Sequence, residues 1–269
     1  MGKKIFVTRA DDLGSSRAAN FAIEAALNAG FIKNVSVMAP GPEVEHAAQL
    51  LARRKDVCFG MHMTLNAEWD KVKWKPVSKR GGNCGLTDEN GRFLPDPAAF
   101  EVTKPPVEAV MEEVAAQYGK LRQLGFDIKY IDSHMFAEAR IHGLDEAVQA
   151  FAREKSLVDH MYFYALPPRF NDLAAGKINI FKWLTTIPAG QYFIVTHPAF
   201  YGEEMLKTGN AGVSGEKVAK DRDKEARLYS SKAVCLALKL MGFQGVRYDG
   251  AAPLARRLTV DDVMTILRG

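Results

Sequence analysis

The chain has 269 residues, of which 47% are hydrophobic and 25% charged, with a formal net charge of +4. Those values describe an ordinary globular protein and exclude a disordered or fibrous one, and no run approaches the roughly 18 apolar residues that span a bilayer. The cysteines, Cys58, Cys84 and Cys235, are odd in number and far apart, which argues against a disulfide framework and fits a reducing cytoplasm. Lysine and arginine are interspersed with acids and form no basic stripe with interleaved aromatics, so neither a nucleic-acid nor a membrane partner is expected. The start, "MGKKIFVTRADD", has acids before any long apolar segment and does not read as a secretory signal. Phe6 stands where a myristoylation signal needs Ser or Thr.

In chain order, "KIFVT" reads as a strand and "SSRAANFAIEAALNAGF" as a helix capped by Ser15 or Ser16 and stopped at Gly30. "NVSVMA" is a second strand, followed by the helix "PEVEHAAQLLARRK" with Pro42 in its first turn; "VCFGMHM" is a third strand. Residues 66–105 form a long irregular insertion carrying Trp69, Trp74 and Phe93. Loops of that length in a compact domain are usually functional or lid-like. The helix "PVEAVMEEVAAQYGKLRQLG", the strand "IKYIDSH" and the helix "GLDEAVQAFAREK" follow. "HMYFYAL" and "QYFIVTH" read as two more strands. "GEKVAKDRDKEARLYSSKAVCLALKLMG" reads as one long amphipathic helix, "FQGVRYD" as a strand and "TVDDVMTILR" as the last helix. About seven strands alternating with helices predict an α/β fold with a parallel sheet or barrel. The expectation is one catalytic domain over residues 1–269, an irregular (β/α) barrel of TIM type with the insertion at about 66–105.

Asp11 and Asp12, His62, Asp132 with His134, and His197 all fall at or just past the C-terminal ends of separate predicted strands. In parallel α/β folds those ends converge on one face, where active sites form. Each residue has a plainer role when taken alone. The acids suit a helix start, His62 has apolar neighbours, His134 has Asp132 close by, and His197 precedes the turn-forming Pro198. Taken together they point to one site. His46 reads as a helix-surface residue and His142 as structural. His160 is expected to open a strand, away from the catalytic end.

An acid and two imidazoles form a mixed oxygen and nitrogen ligand set that leaves positions open for water and substrate. A divalent ion there acidifies water and polarises a carbonyl. The second acid of the pair then takes the water's proton, and His197 protonates a leaving amine, since imidazole exchanges protons near neutral pH. Such an assembly suits hydrolysis of an amide or ester.

The segments "TRADDLGSSRAANFAIEAALNAGFIKNVSVMAPGP", "GMHMTL", "YIDSH" and "THPAF" resemble the YdjC-like carbohydrate deacetylases, in the same order along nearly the whole chain. The resemblance implies a (β/α) barrel-like fold, a divalent metal and removal of N-acetyl groups from sugars. It makes Asp12, His62 and His134 the metal ligands, Asp11 the general base, His197 the candidate acid and Asp132 the residue that orients a neighbouring ligand. Two departures stand out. Arg9 occupies a position where relatives often carry Asn, a fixed charge able to pair with a site carboxylate or a substrate anion. "DSHMFAEARIH" replaces a histidine-rich run, which moves substrate recognition beyond His134 away from the family pattern.

Softness of the ligands favours Zn2+, whereas the resemblance points to Mg2+. Trp69 and Trp74 are the residues expected to stack on a sugar ring, or else to pack the insertion onto the barrel or a partner subunit; a homodimer is the expected assembly. Two alternatives stay open at this point: a metal-dependent hydrolase of a phosphorylated disaccharide or phosphoester, against which the missing Gly-rich phosphate cradle counts, and a non-catalytic sugar-binding protein.

Overall fold

β1, Lys4–Leu13, is the spine of the sheet and its longest strand, with eight successive buried positions from Phe6 to Leu13. A strand hidden on both faces is what a parallel sheet flanked by helices requires. The computed structural model describes residues 2–174 and 176–268. Around β1 stand β2 (Asn34–Val37), β3 (Cys58–Met63), β4 (Ile128–Ser133), β5 (Val158–Asp159), β6 (Gly190–Thr196) and β7 (Phe243–Val246). Every pairing is parallel, and the order is β5-β4-β3-β2-β1-β6 with β7 against β1.

β1 changes partner along its length. Lys4 to Val7 pair with β7, whereas Arg9 to Leu13 pair with β2. Asn34 closes the fork, its amide donating to the Thr8 and Val246 carbonyls at 2.9 Å each and its side-chain oxygen accepting from Tyr248 N. Among the described residues β5 and β6 do not pair, so the sheet is an open, barrel-like half-cylinder. The backbone following β5 spans the gap, with Phe193 N donating to Ala165 O at 2.8 Å.

The helices lie where their apolar faces predict. The Arg17–Ala29 helix starts at Ser16, whose side chain accepts from Ala19 N, and ends at Gly30, whose φ of 97° is the left-handed conformation that favours glycine. The Val107–Gln123 and Leu144–Glu154 helices cover the β3 and β4 side.

Two expectations are corrected. Residues 160–166 are not a strand: β5 stops at Asp159, whose carboxylate accepts from Met161 N and caps a single 3₁₀ turn, His160–Tyr162. The long C-terminal helix is two, Gly215–Ser230 and Lys232–Leu240, because Ser231 is extended and its hydroxyl caps the second. Of the readings open for the insertion at 66–105, packing onto the barrel is the one seen: Trp74, Leu86, Phe93 and Phe100 are buried in the same core as β2 and β3. No helix among the described residues is long and apolar enough to cross a membrane.

Candidate active site

Alternation along a strand puts Arg9 and Asp11 on one face and should send Asp12 to the other. β1 avoids this with one extra residue. Ala10 pairs with Val35 and Leu13 with Val37, so three steps in β1 match two in β2. Within that bulge Asp12 adopts φ 68°, a left-handed conformation uncommon outside glycine that costs on the order of 1–2 kcal/mol. Both acids consequently reach the mouth of the sheet, each 2–3% exposed.

Arg9 pairs with both inner acids. Its guanidinium grips Asp11 in a two-toothed pair, Nε to Oδ1 and Nη2 to Oδ2, both at 2.7 Å, and approaches Asp132 Oδ2 at 3.2 Å. On its far side Nη1 faces His160 Nδ1 at 3.5 Å and the Tyr248 hydroxyl at 3.4 Å. Guanidinium only donates, so His160 Nδ1 is an acceptor. Burial and the Arg9 charge push the His160 pKa down to about 4, which keeps the ring neutral. His160 therefore stands at the catalytic end of β5, contrary to the placement expected from sequence.

β3 and β4 pair in register His62 with Asp132, and His62 Nδ1 lies 2.7 Å from Asp132 Oδ2. A carboxylate only accepts, so Nδ1 carries the proton and Nε2 presents its lone pair. His134 repeats the device, with Nε2 2.9 Å from Glu68 Oε2, leaving Nδ1 as the lone-pair nitrogen. Those two nitrogens face each other at 3.3 Å, and Asp12 Oδ1 lies 3.5 Å from one and 3.7 Å from the other. Asp12 Oδ1 is buried with no hydrogen-bond partner.

With both rings neutral, three acceptors thus converge on one point. A point equidistant from atoms with those separations lies about 2 Å from each, the bond length of a zinc-type site. Asp11, His62 and Asp132 also cluster, but Arg9 already pairs with both of those carboxylates, so the Asp12 group is the fitting cation site. Two more carboxylates, Asp11 and Glu68, and two guanidiniums, Arg9 and Arg222, surround it. Burial disfavours charge on His62, yet the Asp132, Asp11 and Asp12 carboxylates overcome it and carry its pKa up to about 10. Asp12 behaves conversely: burial raises it, but Arg222 first and then His62, His197 and His134 hold it well below the usual carboxylate range.

A cavity of about 150 Å³ opens onto this point, lined among others by Asp12, Glu68, Trp69, Trp74, His134 and Arg222. Trp74 is 4% exposed and its indole N–H donates to Asn66 O at 2.7 Å, so it anchors the insertion as well as walling the cavity. His197, half-buried just beyond β6, donates its backbone N–H to Glu225.

Comparison with known proteins matches residues 5–170, more than half of the chain, to the model of the YdjC-like proteins. The chain belongs to the YdjC-like family. A carbohydrate deacetylase of Thermoanaerobacter pseudethanolicus is 24% identical over 82% of this chain and 92% of that protein. A chitooligosaccharide deacetylase of Escherichia fergusonii is 30% identical over 76% of this chain and 71% of its own length. A crystal structure from Enterococcus faecalis V583, named for a cellobiose-phosphate cleavage activity, superposes with TM-score 0.71, covering 92% of this chain and 98% of that one. Its 21% identity carries a likeness of fold alone.

Within this YdjC-like frame the structure brings Arg9, Asp11, Asp12, His62, Asp132, His134 and His197 to one end of the sheet, with Trp69 and Trp74 on the cavity wall. His142 is exposed. His46 lies away from the site, 3.1 Å from the Asn20 amide. Three neighbours escape sequence reasoning. Glu68 sits in an irregular stretch with no period to give it a face. Arg222 and Glu225 lie in a segment that reads as one long amphipathic helix, where nothing marks which charged positions turn inward.

Proposed function

We propose that this protein is a metal-dependent carbohydrate deacetylase, a single-domain enzyme that hydrolyses the acetamide of an N-acetylated amino sugar or oligosaccharide. The convergence of the buried, unpartnered Asp12 Oδ1 with the His62 and His134 ring nitrogens carries this reading. The names of the YdjC-like relatives supply the substrate class. A divalent ion held by those three side chains supplies Lewis-acid polarisation of the amide carbonyl and acidifies water. Two imidazoles and one carboxylate favour Zn2+ over Mg2+.

The chain's own groups do the rest. Asp132 and Glu68 fix the His62 and His134 tautomers so that the free nitrogens face inward. Asp11 accepts the proton of the attacking water. Each of its oxygens takes one hydrogen bond from Arg9 and keeps a second lone pair, so the clamp fixes the carboxylate's direction without consuming its capacity. His197 delivers a proton to the departing sugar nitrogen, and Trp69 forms an apolar wall against the sugar ring. The unpaired thiols of Cys58, Cys84 and Cys235 support a reducing, cytoplasmic setting.

Acetate release from N-acetylated glucosamine oligosaccharides, measured with metal-free and zinc-loaded protein, tests the proposal. Release is expected only with metal, and Asp12→Asn is expected to lower it by orders of magnitude. Free sugar or phosphate appearing in place of acetate, or full turnover after chelation, would overturn it.

A further inference from the structure

The helix Gly215–Ser230 lies outside every motif that marks the site in sequence, yet it supplies two of the site's contacts. Arg222 Nη1 donates to Asp12 Oδ2 at 2.6 Å, and its side chain is 15% exposed at the cavity wall. Three residues on, Glu225 Oε2 accepts from the Thr196 hydroxyl at 2.7 Å and from His197 N at 2.5 Å. Residues three apart share a helix face, so one face reaches both the tip of β1 and the tip of β6. The helix is itself fixed: Ala199 N donates to Arg222 O at 3.3 Å, and Val218, Ala219 and Ala226 are buried.

We infer that Arg222 and Glu225 make this helix the positioning element of the site, Arg222 for the cation ligand Asp12 and Glu225 for His197. The inference rests on the metal-dependent reading above. Asp12 sits in a left-handed bulge that leaves its carboxylate free to rotate about its own bonds. Arg222 takes one oxygen and thereby points the other, Oδ1, at His62 and His134. Coulomb's law alone predicts the opposite consequence, since a guanidinium beside a cation site repels the cation. The geometry says that loss of direction outweighs relief of that repulsion. Glu225 acts on backbone and hydroxyl at the β6 tip, so it sets where the His197 ring begins without touching any of the three ligands.

The two residues consequently separate by readout. Zinc affinity is measured by calorimetry on metal-stripped protein, alongside the visible spectrum of the cobalt-substituted form, for wild type, Arg222→Ala, Arg222→Lys and Glu225→Ala. Arg222→Ala is expected to bind zinc roughly 10–100-fold more weakly, the range found when partners of metal ligands are removed, and to shift the cobalt spectrum. Arg222→Lys keeps the charge and one donor and is expected to recover most of the affinity. Glu225→Ala is expected to bind zinc as wild type does while its kcat for acetate release falls at least tenfold. Thermal melts of the stripped proteins identify any variant that fails to fold; in that event Arg222→Lys and Glu225→Gln carry the comparison. Zinc binding by Arg222→Ala that equals or exceeds wild type, or a weakened zinc site in Glu225→Ala, would overturn the inference. A wild-type protein that binds no zinc overturns the metal reading instead.

Discussion

Asp12 owes its position to a single additional residue in β1, and the cost of that left-handed backbone is met by the contacts waiting at its end. Asp132 shows the same economy from the other side. Its Oδ2 faces both His62 Nδ1 and the Arg9 guanidinium, so one atom orients the His62 ring and ties the inner acids to one guanidinium. Asp132→Asn keeps the shape and loses the charge, and the amide presents either an oxygen or a donor to His62. Zinc affinity is expected to fall by about 10–100-fold, read by calorimetry, while the melting curve of the stripped protein keeps its cooperativity. Unchanged affinity would mean that His62 needs no partner. A second residue-scale consequence concerns pH. His160 has its folded pKa pushed down to about 4 by burial and Arg9. Its contribution to stability is therefore present above its ordinary value near 6.5 and is lost as pH falls through 4. Glu138 is buried, hydrogen-bonded to the Ser133 hydroxyl and raised to about 7 by burial. Its contribution is present below its ordinary value near 4.5 and is lost as pH rises through 7. Between pH 4.5 and 6.5 the two slopes oppose. Urea denaturation across that window is expected to show His160→Gln flattening the acid-side fall in stability. Glu138→Gln removes the decline towards neutrality, each effect amounting to a few kcal/mol at most. Curves parallel to wild type would show that neither group titrates with folding.

The elements divide sharply into those the sequence announces and those it does not. Short apolar runs ending in acids or histidines marked the tips of β1, β3, β4 and β6, because buried parallel strands need continuous apolar stretches and the residues just past them face the site. The Ser16 cap and Gly30 stop marked the first helix for equally local reasons. Residues 160–166 look like a strand because aromatic residues favour one, but tertiary packing uses Met161, Phe163 and Tyr164 as core plugs beside β6, where no strand partner is offered. Ser231 is illegible as a break in a helical period until its hydroxyl is seen capping Val234 N. Arg222 meets Asp12 from 210 residues away, Glu68 acts from a segment without a period, and Glu225 reaches back 28 residues to His197, and no local pattern encodes those contacts. The insertion at 66–105 yields a test at this scale. Phe93 is 1% exposed, and its backbone N–H donates to Trp74 O at 3.1 Å, so the segment is core. Phe93→Ala is expected to cost about 3–5 kcal/mol, seen as a lowered urea midpoint. Trp69→Ala, at the half-buried cavity wall, is expected to raise KM several-fold with a much smaller change in stability. A lid would give the reverse: Phe93→Ala altering kcat while the midpoint stays put.

At the scale of the whole molecule, an open sheet has no closing strand to hold its ends together, and the contacts that cross its mouth assume that role. Asp12 comes from β1, His62 from β3 and His134 from just past β4. Glu68 extends the reach into the insertion, and Arg222 extends it to the Gly215–Ser230 helix. A cation bound at their meeting point therefore couples segments separated by most of the chain, which the unfolded protein cannot do. Ligand that binds only the folded state stabilises it by RT ln(1 + [L]/Kd), about 2.7 kcal/mol at a hundredfold excess over Kd. For a chain of this size each kcal/mol moves Tm by roughly 2–4 °C, so chelation of zinc-loaded protein is expected to lower Tm by about 5–10 °C. Re-addition of zinc restores it. Asp12→Asn removes the converging carboxylate, and its melting temperature is expected to be indifferent to zinc and chelator alike. Calorimetric scans of the four samples decide the matter: a Tm that ignores zinc in the wild type, or that follows zinc equally in Asp12→Asn, would place the cation somewhere other than the junction of β1, β3 and β4.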